Sequence, residues 1–238
     1  ARGLGYKSIN YDLVYGLPHQ TTKSIETTID LVNLLRPDRI AFYSYAHVPW
    51  VKPGQRSFTE KDLPEGKDKH AMYALGKSML ISAGYLEIGM DHFALPDEEL
   101  TRAFRAGKMH RNFMGYTTQP SKLMIGLGVS AIGDSWTAFG QNVKEVEKYL
   151  EVVNKGAFPI FRGHILSKED LMIRKLILDI MCHFKADLTD LKKTTLANNL
   201  SLLAELEHDN LLVLSPNEIR ITKEGKPYVR NICMAFDQ

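Results

Sequence analysis

The chain has 238 residues, of which 44% are hydrophobic and 24% are charged, so its composition is globular and excludes a disordered or low-complexity protein. Its 30 basic and 28 acidic residues leave a formal net charge of +2, which argues against a large nucleic-acid-binding surface. No apolar run reaches roughly 18 residues, and no secretory leader opens the chain. We therefore expect a cytoplasmic protein without a membrane span or a nucleic-acid partner and, because it opens at Ala1, a fragment.

The first stretch, from Ser8 to Pro18, predicts a buried strand that ends in a turn. Asp12 lies in its middle, and burying an unpaired carboxylate costs on the order of several kcal/mol, so this side chain needs protein partners or a ligand. Because side chains alternate along a strand, Asp12 and Val14 project from the same face. A structural aspartate and a ligand-binding aspartate both fit this pattern.

A helix and a second strand follow the first strand. Thr21 or Thr22 can cap the helix, and Arg36-Pro37 ends it. Residues 39–46 then predict a strand, and the order strand, helix, strand indicates a right-handed parallel βαβ unit. Ala46 falls at the end of the second strand, where its small side chain either lets a ligand approach or packs in the core. The proline-rich loop that follows is long enough to be functional.

The middle of the chain carries the densest set of chemically active side chains. Beyond a predicted helix at 67–83 and a strand at 85–90, these are Asp91, His92, His110 and Arg111. Imidazole titrates near neutrality and binds metals, whereas a guanidinium can grip a carboxylate with two hydrogen bonds. The spacing matches no zinc signature. Surface or structural roles remain the alternative to a site here.

A glycine-containing segment at 123–133 approximates half of a dinucleotide-binding fingerprint, but no suitable strand, turn and helix carry it. Its glycines predict either a close approach to a ligand or small-residue packing. A helix at 143–154 precedes a boundary, so the sequence predicts two domains, 1–161 and 162–238.

The second predicted domain is mainly helical. Helices at 168–184 and 195–208 are followed by two short strands, which is typical of a winged-helix-like module. Its basic residues are diluted by acidic neighbours, so a solvated face is favoured over a nucleic-acid-binding one. Cys182 and Cys233 lack a metal-ligand spacing and are predicted to be free, buried thiols.

Four segments together carry a resemblance to a known family: Asp-Leu-Val-Tyr-Gly-Leu-Pro-His-Gln-Thr from Asp12, Ile-Gly-Met-Asp-His-Phe-Ala from Ile88, His-Arg-Asn-Phe-Met-Gly-Tyr-Thr-Thr-Gln from His110, and Arg-Asn-Ile-Cys-Met-Ala-Phe-Asp from Arg230. They resemble the oxygen-independent coproporphyrinogen III oxidases of the radical S-adenosylmethionine enzymes. The resemblance implies an α/β fold, namely the C-terminal portion of a partial (β/α) barrel followed by the mainly helical, winged-helix-like domain.

The resemblance also implies a reaction and its cofactors. A 5′-deoxyadenosyl radical derived from S-adenosylmethionine takes a hydrogen atom from a propionate of coproporphyrinogen III. Loss of carbon dioxide and an electron leaves a vinyl group, and two such events yield protoporphyrinogen IX in haem biosynthesis. The implied partners are the tetrapyrrole substrate and an electron donor. The alternatives are a haem-chaperone-like relative and a winged-helix binding module.

The resemblance assigns S-adenosylmethionine contacts by motif position. Asp12, Val14, Ala46 and Ile132 match the family's contacts to this cofactor, with Val14 standing where relatives carry isoleucine. A further assignment is our own interpretation of the residues, which gives the carboxylates of the substrate to Arg111, His110 and His92.

One departure concerns the [4Fe-4S] cluster, which the family binds through Cys-x-x-x-Cys-x-x-Cys. This motif and the glycine-rich strand that grips the methionine end of the cofactor are absent from the chain. We therefore expect the resemblance to cover only the later part of the enzyme. We also expect this chain alone to be inactive and to hold no cluster, with no metal site of its own.

Overall fold

The computed structural model describes residues 1–189 and 193–236. The chain divides into two compact units, Ala1–Ala106 and Gly107–Gln238. The domain boundary predicted at 161/162 falls inside the second unit, and as a domain boundary it stays a prediction. No helix in the described part of the chain is long and apolar enough to cross a membrane.

The first unit is built on one mixed sheet with strand order β1-β2-β4-β3. Its strands are β1 (Asn10–Tyr15), β2 (Arg39–Ser44), β3 (Leu86–Ile88) and β4 (His92–Ala94). Its helices are α1 (Thr22–Leu35), α2 (Gly66–Ser82) and α3 (Glu99–Arg105), with short 3-10 helices at Arg2–Leu4, Pro53–Ser57 and Glu60–Asp62. The strands β1 and β2 are parallel and are connected by α1, which confirms the predicted parallel βαβ unit.

Local signals set the limits of α1. Thr21 caps the helix, because its side chain accepts a hydrogen bond from the Ser24 amide, and the Ser24 hydroxyl oxygen accepts one from the Thr21 amide. The helix ends where Arg36 takes up a left-handed conformation, at φ 48°, directly before Pro37. Both ends therefore lie within a residue or two of where the sequence predicts them.

Helices α1 and α2 cover one face of this sheet. Its buried core consists of Ile25, Ile29, Val32, Ile40, Phe42, Met72, Leu80, Tyr85 and Phe93. From β1, the side chains of Tyr11, Leu13 and Tyr15 pack against that core. Asp12 and Val14 project from the opposite face and are exposed.

The sequence-based prediction of a buried first strand is therefore wrong for the face that carries Asp12. Alternation places the polar residues of β1 correctly on one face, but periodicity cannot say what covers that face. Asp12 is not an isolated buried carboxylate, since its Oδ1 accepts a hydrogen bond of 2.7 Å from Asn10 Nδ2.

The second unit contains three small sheets. Its strands are β5 (His110–Asn112), β6 (Gly115–Thr117), β7 (Ile132–Asp134), β8 (Ala138–Asn142), β9 (Ile160–Ile165), β10 (Lys185–Asp187), β11 (Leu212–Ser215) and β12 (Glu218–Ile221). Its helices are α4 (Val146–Asn154), α5 (Lys168–His183), α6 (Lys193–His208) and α7 (Val229–Met234), with a 3-10 helix at Lys226–Tyr228. The sheets are the hairpin β5-β6, the meander β7-β8-β9 and the antiparallel sheet β10-β12-β11.

None of the three strands of the meander, β7, β8 and β9, is part of the sequence-based prediction. Strand β9 occupies most of the segment at 161–167 where the sequence predicts a boundary, and it pairs with β8. Every residue of β9 is exposed, so the segment shows no alternation of buried and exposed side chains that could reveal a strand.

Helix α5 organises the C-terminal part of the second unit. Its buried residues Leu176 and Ile180 lie on one side, and the helix packs against α7, whose Val229 and Ile232 are also buried. Cys182 and Cys233 are free and buried, which confirms their prediction as structural thiols.

Candidate functional site

The exposed face of β1 continues across the sheet of the first unit. Asp12 pairs in register with Ala41 on β2, and Ala41 pairs with His92 on β4, so these three side chains form one row on the same face. Val14 pairs with Tyr43 and lies beside that row. We call these five residues the Asp12 face. Two strand spacings separate Asp12 from His92, which corresponds to roughly 10 Å.

The His92 end of the Asp12 face is held by neighbouring groups. The Nδ1 atom of His92 lies 2.6 Å from Asp91 Oδ1, and the two side chains are only 12% and 15% exposed. The Tyr43 ring meets the imidazole edge-on, with 5.9 Å between ring centroids. His92 is therefore fixed in orientation, whereas Asp12 and Val14 remain open to solvent, the latter with 37% exposure.

The turn after β1 is stabilised by one glutamine. Gln20 accepts a hydrogen bond from the Leu17 amide and donates one to the Val14 carbonyl, at 3.1 and 3.2 Å. Gly16, at the start of this turn, has a φ of 80°, which favours glycine. The turn thus fixes the end of the strand that carries Asp12 and Val14.

The end of β2, near Ala46, is held by two further side chains. Lys69 Nζ donates to the Tyr45 carbonyl at 2.6 Å, and Gln55 bridges the Ala46 carbonyl and the Val48 amide. Burial lowers the pKa of Lys69. Ala46 itself is exposed. No sequence pattern indicates Lys69 or Gln55, because both reach the end of β2 from distant or loop positions.

In the second unit, His110 and Arg111 lie on β5 and face different neighbours. The His110 ring lies 6.3 Å from the Trp136 ring. Burial, together with the positive charge of Arg174, lowers the pKa of His110, so the imidazole is neutral at neutral pH. The guanidinium of Arg111 lies over the Tyr116 ring at 4.7 Å.

The Arg111 side chain also carries an unsatisfied donor. Its Nη1 atom is buried and has no hydrogen-bond partner. Tyr116, on which the guanidinium stacks, donates its own hydroxyl to the Met181 carbonyl near the end of α5. The guanidinium is therefore positioned by stacking, with one of its donor atoms buried and unpaired.

A buried ion pair that the sequence analysis missed lies beside these residues. Arg174 donates to both carboxylate oxygens of Asp134, at 2.6 and 3.0 Å, and to the Trp136 carbonyl at 2.9 Å. The guanidinium also lies over the rings of Trp136 and Phe139, at 4.3 and 4.9 Å. Since 40 positions separate the two charged residues, no local motif could have revealed the pair.

A cavity of about 520 Å³ runs between α5 and the strands that carry these side chains. Its polar wall includes Arg111, Asp134 and Arg174, and apolar side chains of α5 line much of the rest. This volume is typical of small-molecule sites. The predicted residues His110 and Arg111 thus lie on the strand beside a cavity, whereas His92 belongs to the first unit.

Ile132 lies on β7 in the second unit, in contrast to the other three predicted cofactor contacts. It lines a smaller pocket of about 290 Å³ together with Phe113 and Phe139. The preceding glycine segment packs closely on β7, because a Cβ atom at Gly126 would lie 2.8 Å from the Ile132 carbonyl oxygen. Asn142 donates to the carbonyls of Gly126 and Gly128. These contacts support the packing interpretation of the glycines.

The residues of this chain do not fit an iron–sulfur cluster. Such clusters are held by cysteine thiolates, and burial raises the pKa of the Cys182 thiol to about 12. The other cysteine, Cys233, is buried as well. Among residues 1–189 and 193–236, no group of three or more His, Cys, Asp or Glu is arranged to hold a metal ion. Asp12 and Val14, the exposed residues of the Asp12 face, by contrast offer a carboxylate and an apolar side chain next to each other, which suits a polar cofactor with an apolar part.

Comparison with known proteins finds relatives along the whole chain. It is 39% identical over 244 residues to the oxygen-independent coproporphyrinogen III oxidase of Escherichia coli, covering 100% of this chain and 53% of that protein. The corresponding protein of Synechocystis is 37% identical over 247 residues, covering 99% of this chain and 53% of its own length. No protein-family model matches the chain.

A solved structure gives the same result. It is that of coproporphyrinogen III oxidase (HemN) from Escherichia coli, described as a radical SAM enzyme, and it matches with a TM-score of 0.93 at 39% identity. The match covers 100% of this chain and 56% of that chain. The chain therefore spans about half the length of the proteins that it matches, and its mixed α/β fold is theirs over that half.

Proposed function

Because the chain is homologous along its whole length to about half of the oxygen-independent coproporphyrinogen III oxidases, we propose that it forms the later part of such an enzyme. The observation that carries this proposal is the TM-score of 0.93 over the entire chain. In this proposal the first unit supplies the last strands of a partial (β/α) barrel. The order α5, β10, α6, β11, β12 supports a winged-helix-like module in the second unit.

The proposed activity is the oxidative decarboxylation of coproporphyrinogen III to protoporphyrinogen IX. S-adenosylmethionine with its [4Fe-4S] cluster would supply the radical that removes a hydrogen atom from each reacting propionate. The proposal includes an electron donor, which radical formation would require, and an electron acceptor, which would take up the electron released at each decarboxylation. The cysteines of this chain do not suit the cluster, so its ligands would come from outside these 238 residues.

The Asp12 face is the proposed cofactor-binding surface of the first unit. The Asp12 carboxylate is exposed and can accept hydrogen bonds from hydroxyl or amino groups of S-adenosylmethionine, while Val14 provides an apolar contact on the same face. Ala46 lies at the end of the neighbouring strand, where its small side chain leaves room for a flat group. Ile132 is the proposed apolar contact from the second unit.

The proposed contacts to the substrate are Arg111, His110 and His92. Arg111 lines the cavity beside α5, and its guanidinium suits a propionate carboxylate. The lowered pKa of His110 keeps its imidazole neutral, so it can donate one hydrogen bond without adding charge. His92 is held by Asp91, and this pairing orients its second ring nitrogen.

An anaerobic activity assay tests the proposal. The longer protein that contains this chain, reconstituted with iron and sulfide, should convert coproporphyrinogen III to protoporphyrinogen IX when given S-adenosylmethionine and a strong reductant. The Asp12→Asn variant should raise the KM for S-adenosylmethionine by roughly tenfold, because a tenfold change corresponds to the loss of about one hydrogen bond to a charged group. Asp30→Asn, which makes the same change in α1, should behave as the wild type. A reconstituted protein that consumes no coproporphyrinogen would contradict the proposal.

Two binding assays separate the rival functions. Tight, stoichiometric haem binding without oxidase activity would favour a haem-handling relative. Binding to DNA that weakens steeply with added salt would favour a nucleic-acid-binding winged helix. We expect neither result.

A further inference from the structure

Lys69 meets the ends of both parallel strands of the first unit. It lies in the first turn of α2, and its ammonium donates a hydrogen bond of 2.6 Å to the Tyr45 carbonyl, just beyond the end of β2. Its aliphatic stem runs past Gly16, just beyond the end of β1, where a Cβ atom would lie only 2.7 Å from Lys69 Cε. One side chain therefore contacts the segments that follow β1 and β2.

The Tyr45 peptide group also links the two strands. Its amide donates to the Tyr15 carbonyl at 2.8 Å, whereas its carbonyl accepts from Lys69. Ala46 follows this residue directly, and Val14 directly precedes Tyr15. Lys69 thus completes a chain of hydrogen bonds that joins the strand end next to Val14 to the strand end next to Ala46.

The surroundings of Lys69 are unfavourable for a cation. The side chain is half-buried, and this burial lowers the pKa of its ammonium. It lies near the amino-terminal end of a helix, where the helix dipole favours anions. In the part of the chain that the structure describes, no carboxylate forms an ion pair with it, whereas Lys77 of the same helix is paired with Glu87 at 2.6 Å. An apolar side chain of similar length would avoid these costs, which indicates that the hydrogen bond has a role beyond stability.

We propose that Lys69 is a positioning residue of the cofactor site, which holds the ends of β1 and β2 together and thereby sets the spacing of Val14 and Ala46. This inference rests on the proposed function, in which those two residues contact S-adenosylmethionine. Because α2 covers the face of the sheet opposite Asp12, Lys69 acts through the strand ends. A site that is ordered before binding costs less entropy to occupy, so loss of this hydrogen bond weakens cofactor binding.

Amide hydrogen exchange on this chain tests the hydrogen bond itself. Lys69→Met keeps an aliphatic stem beside Gly16 and removes the donor, so we expect the Tyr45 amide to exchange about tenfold faster. The Ile29 amide, in the centre of α1, should exchange as in the wild type. Lys67→Met makes the same change at an exposed residue of α2 and should leave both amides unchanged. Unchanged exchange of the Tyr45 amide in a folded Lys69→Met variant would overturn the inference.

Steady-state kinetics of the longer protein test the positioning role. Lys69→Met should raise the KM for S-adenosylmethionine by about three- to tenfold, a range that corresponds to the free-energy cost of ordering a side chain or loop on binding. The kcat at saturating cofactor should stay within about twofold of the wild type, which a general loss of structure would not produce. Lys67→Met should match the wild type in both constants. An active Lys69→Met enzyme with an unchanged KM would overturn the inference.

A second variant covers the case in which Lys69→Met does not fold, which thermal unfolding reports. Lys69→Gln removes the charge and shortens the side chain by one atom, so it also takes the donor away from the Tyr45 carbonyl. It should show the faster exchange of the Tyr45 amide and the raised KM. A folded Lys69→Gln variant that matches the wild type in both would overturn the inference, and failure of both variants to fold would show a role in stability alone.

The two measurements also separate the inference from the proposed function. If Lys69→Met speeds exchange of the Tyr45 amide while the longer protein fails to oxidise coproporphyrinogen III, the link between the strand ends is confirmed and the oxidase proposal is wrong. If the longer protein is an active oxidase and its KM does not depend on Lys69, the positioning role is wrong and the proposed function is supported.

Discussion

Asp134 and Arg174 show how much a single pair of side chains contributes in the second unit. Their side chains are 9% and 13% exposed. The guanidinium lies over two aromatic rings while it is paired with the carboxylate. Removing one member of a buried pair leaves an uncompensated charge, which costs far more than the pair itself is worth. The pair joins β7 to α5, so its loss should loosen the wall of the cavity beside α5.

Asp134→Asn should lower the free energy of unfolding by about 3 kcal/mol, because Arg174 keeps its charge and loses its partner. Glu151→Gln provides the control, since Glu151 and Lys155 form an exposed ion pair in α4 and such pairs contribute at most about 1 kcal/mol. Urea unfolding followed by circular dichroism measures both variants. Equal losses in the two would contradict this account of the buried pair.

Cys182 should be chemically inert in the folded chain. Burial raises its pKa to about 12, so the thiol is protonated at pH 8, and the reactive thiolate is scarce. The folded state therefore holds its proton more tightly than the unfolded state does. The contribution of this thiol to the free energy of unfolding is therefore complete below the pKa of the unfolded chain. It is lost as the pH rises from about 9 towards 12.

The measurement is the rate of reaction with Ellman's reagent at pH 8. In the native chain both buried thiols should react at least about a hundredfold more slowly than in urea-unfolded chain, since reaction requires local opening. Rapid reaction of either thiol in the folded chain would contradict the burial of that thiol.

At the residue scale, the sequence predicts which face of a strand carries a side chain better than it predicts what surrounds that side chain. Alternation correctly placed Asp12 and Val14 on one face, yet it could not show that this face is open. The assignment of Arg111 to a carboxylate rested on its side-chain chemistry, whereas its unsatisfied donor depends on Tyr116 and α5, which only the fold brings together. Arg174 lies far from its partner in sequence and carried no signal.

At the scale of single elements, helix caps and close contacts decide where the elements begin and how near they approach. Thr21 and Ser24 form reciprocal hydrogen bonds at the start of α1, and this helix begins where the sequence predicts it. The strand β9 was missed, since an exposed edge strand lacks the buried alternation that identifies a strand, and the central strand β8 was missed because its residues show no alternation of burial either. A helix or strand is therefore predictable from the sequence when the interactions that stabilise it are local.

Thr21→Ala should destabilise the first unit by about 1 kcal/mol, because it leaves the Ser24 amide without its capping acceptor. Thr27→Ala makes the same chemical change within the same helix, where alanine has the higher helix propensity. It should be neutral or slightly stabilising. Thermal unfolding of the two variants, compared with the wild type, checks the sign of the difference. A larger loss of stability in Thr27→Ala than in Thr21→Ala would contradict the capping role of Thr21.

Gly76 controls how closely α2 approaches β2. A Cβ atom there would lie 2.6 Å from Phe42 Cε1, so Gly76→Ala should cost about 1–3 kcal/mol despite the better helix propensity of alanine. Gly66→Ala is the control, since nothing lies within 4 Å of a Cβ atom at that position. Phe42→Leu added to Gly76→Ala should recover part of the loss in urea unfolding. A stabilising Gly76→Ala would contradict the close contact.

At the scale of the whole molecule, the two units divide the chemistry between them. The first presents the Asp12 face and the ends of β1 and β2, and the second presents the cavity beside α5 with Arg111 at its wall. The chain spans about half the length of its relatives, and its own cysteines do not suit a cluster. The sequence motifs predicted the family, and the sequence pattern predicted the parallel βαβ unit, whereas the cavity beside α5 depends on packing between distant segments.

The number of 5′-deoxyadenosine molecules formed per protoporphyrinogen IX tests the central claim most directly. It is measured by liquid chromatography on the reconstituted longer protein, supplied anaerobically with coproporphyrinogen III, S-adenosylmethionine and reductant. Because each of two propionates loses one hydrogen atom to a separate radical, we predict a ratio of about two, with the Asp12→Asn variant forming both products slowly. Formation of 5′-deoxyadenosine without any protoporphyrinogen IX, or of the porphyrin product without 5′-deoxyadenosine, would contradict the account.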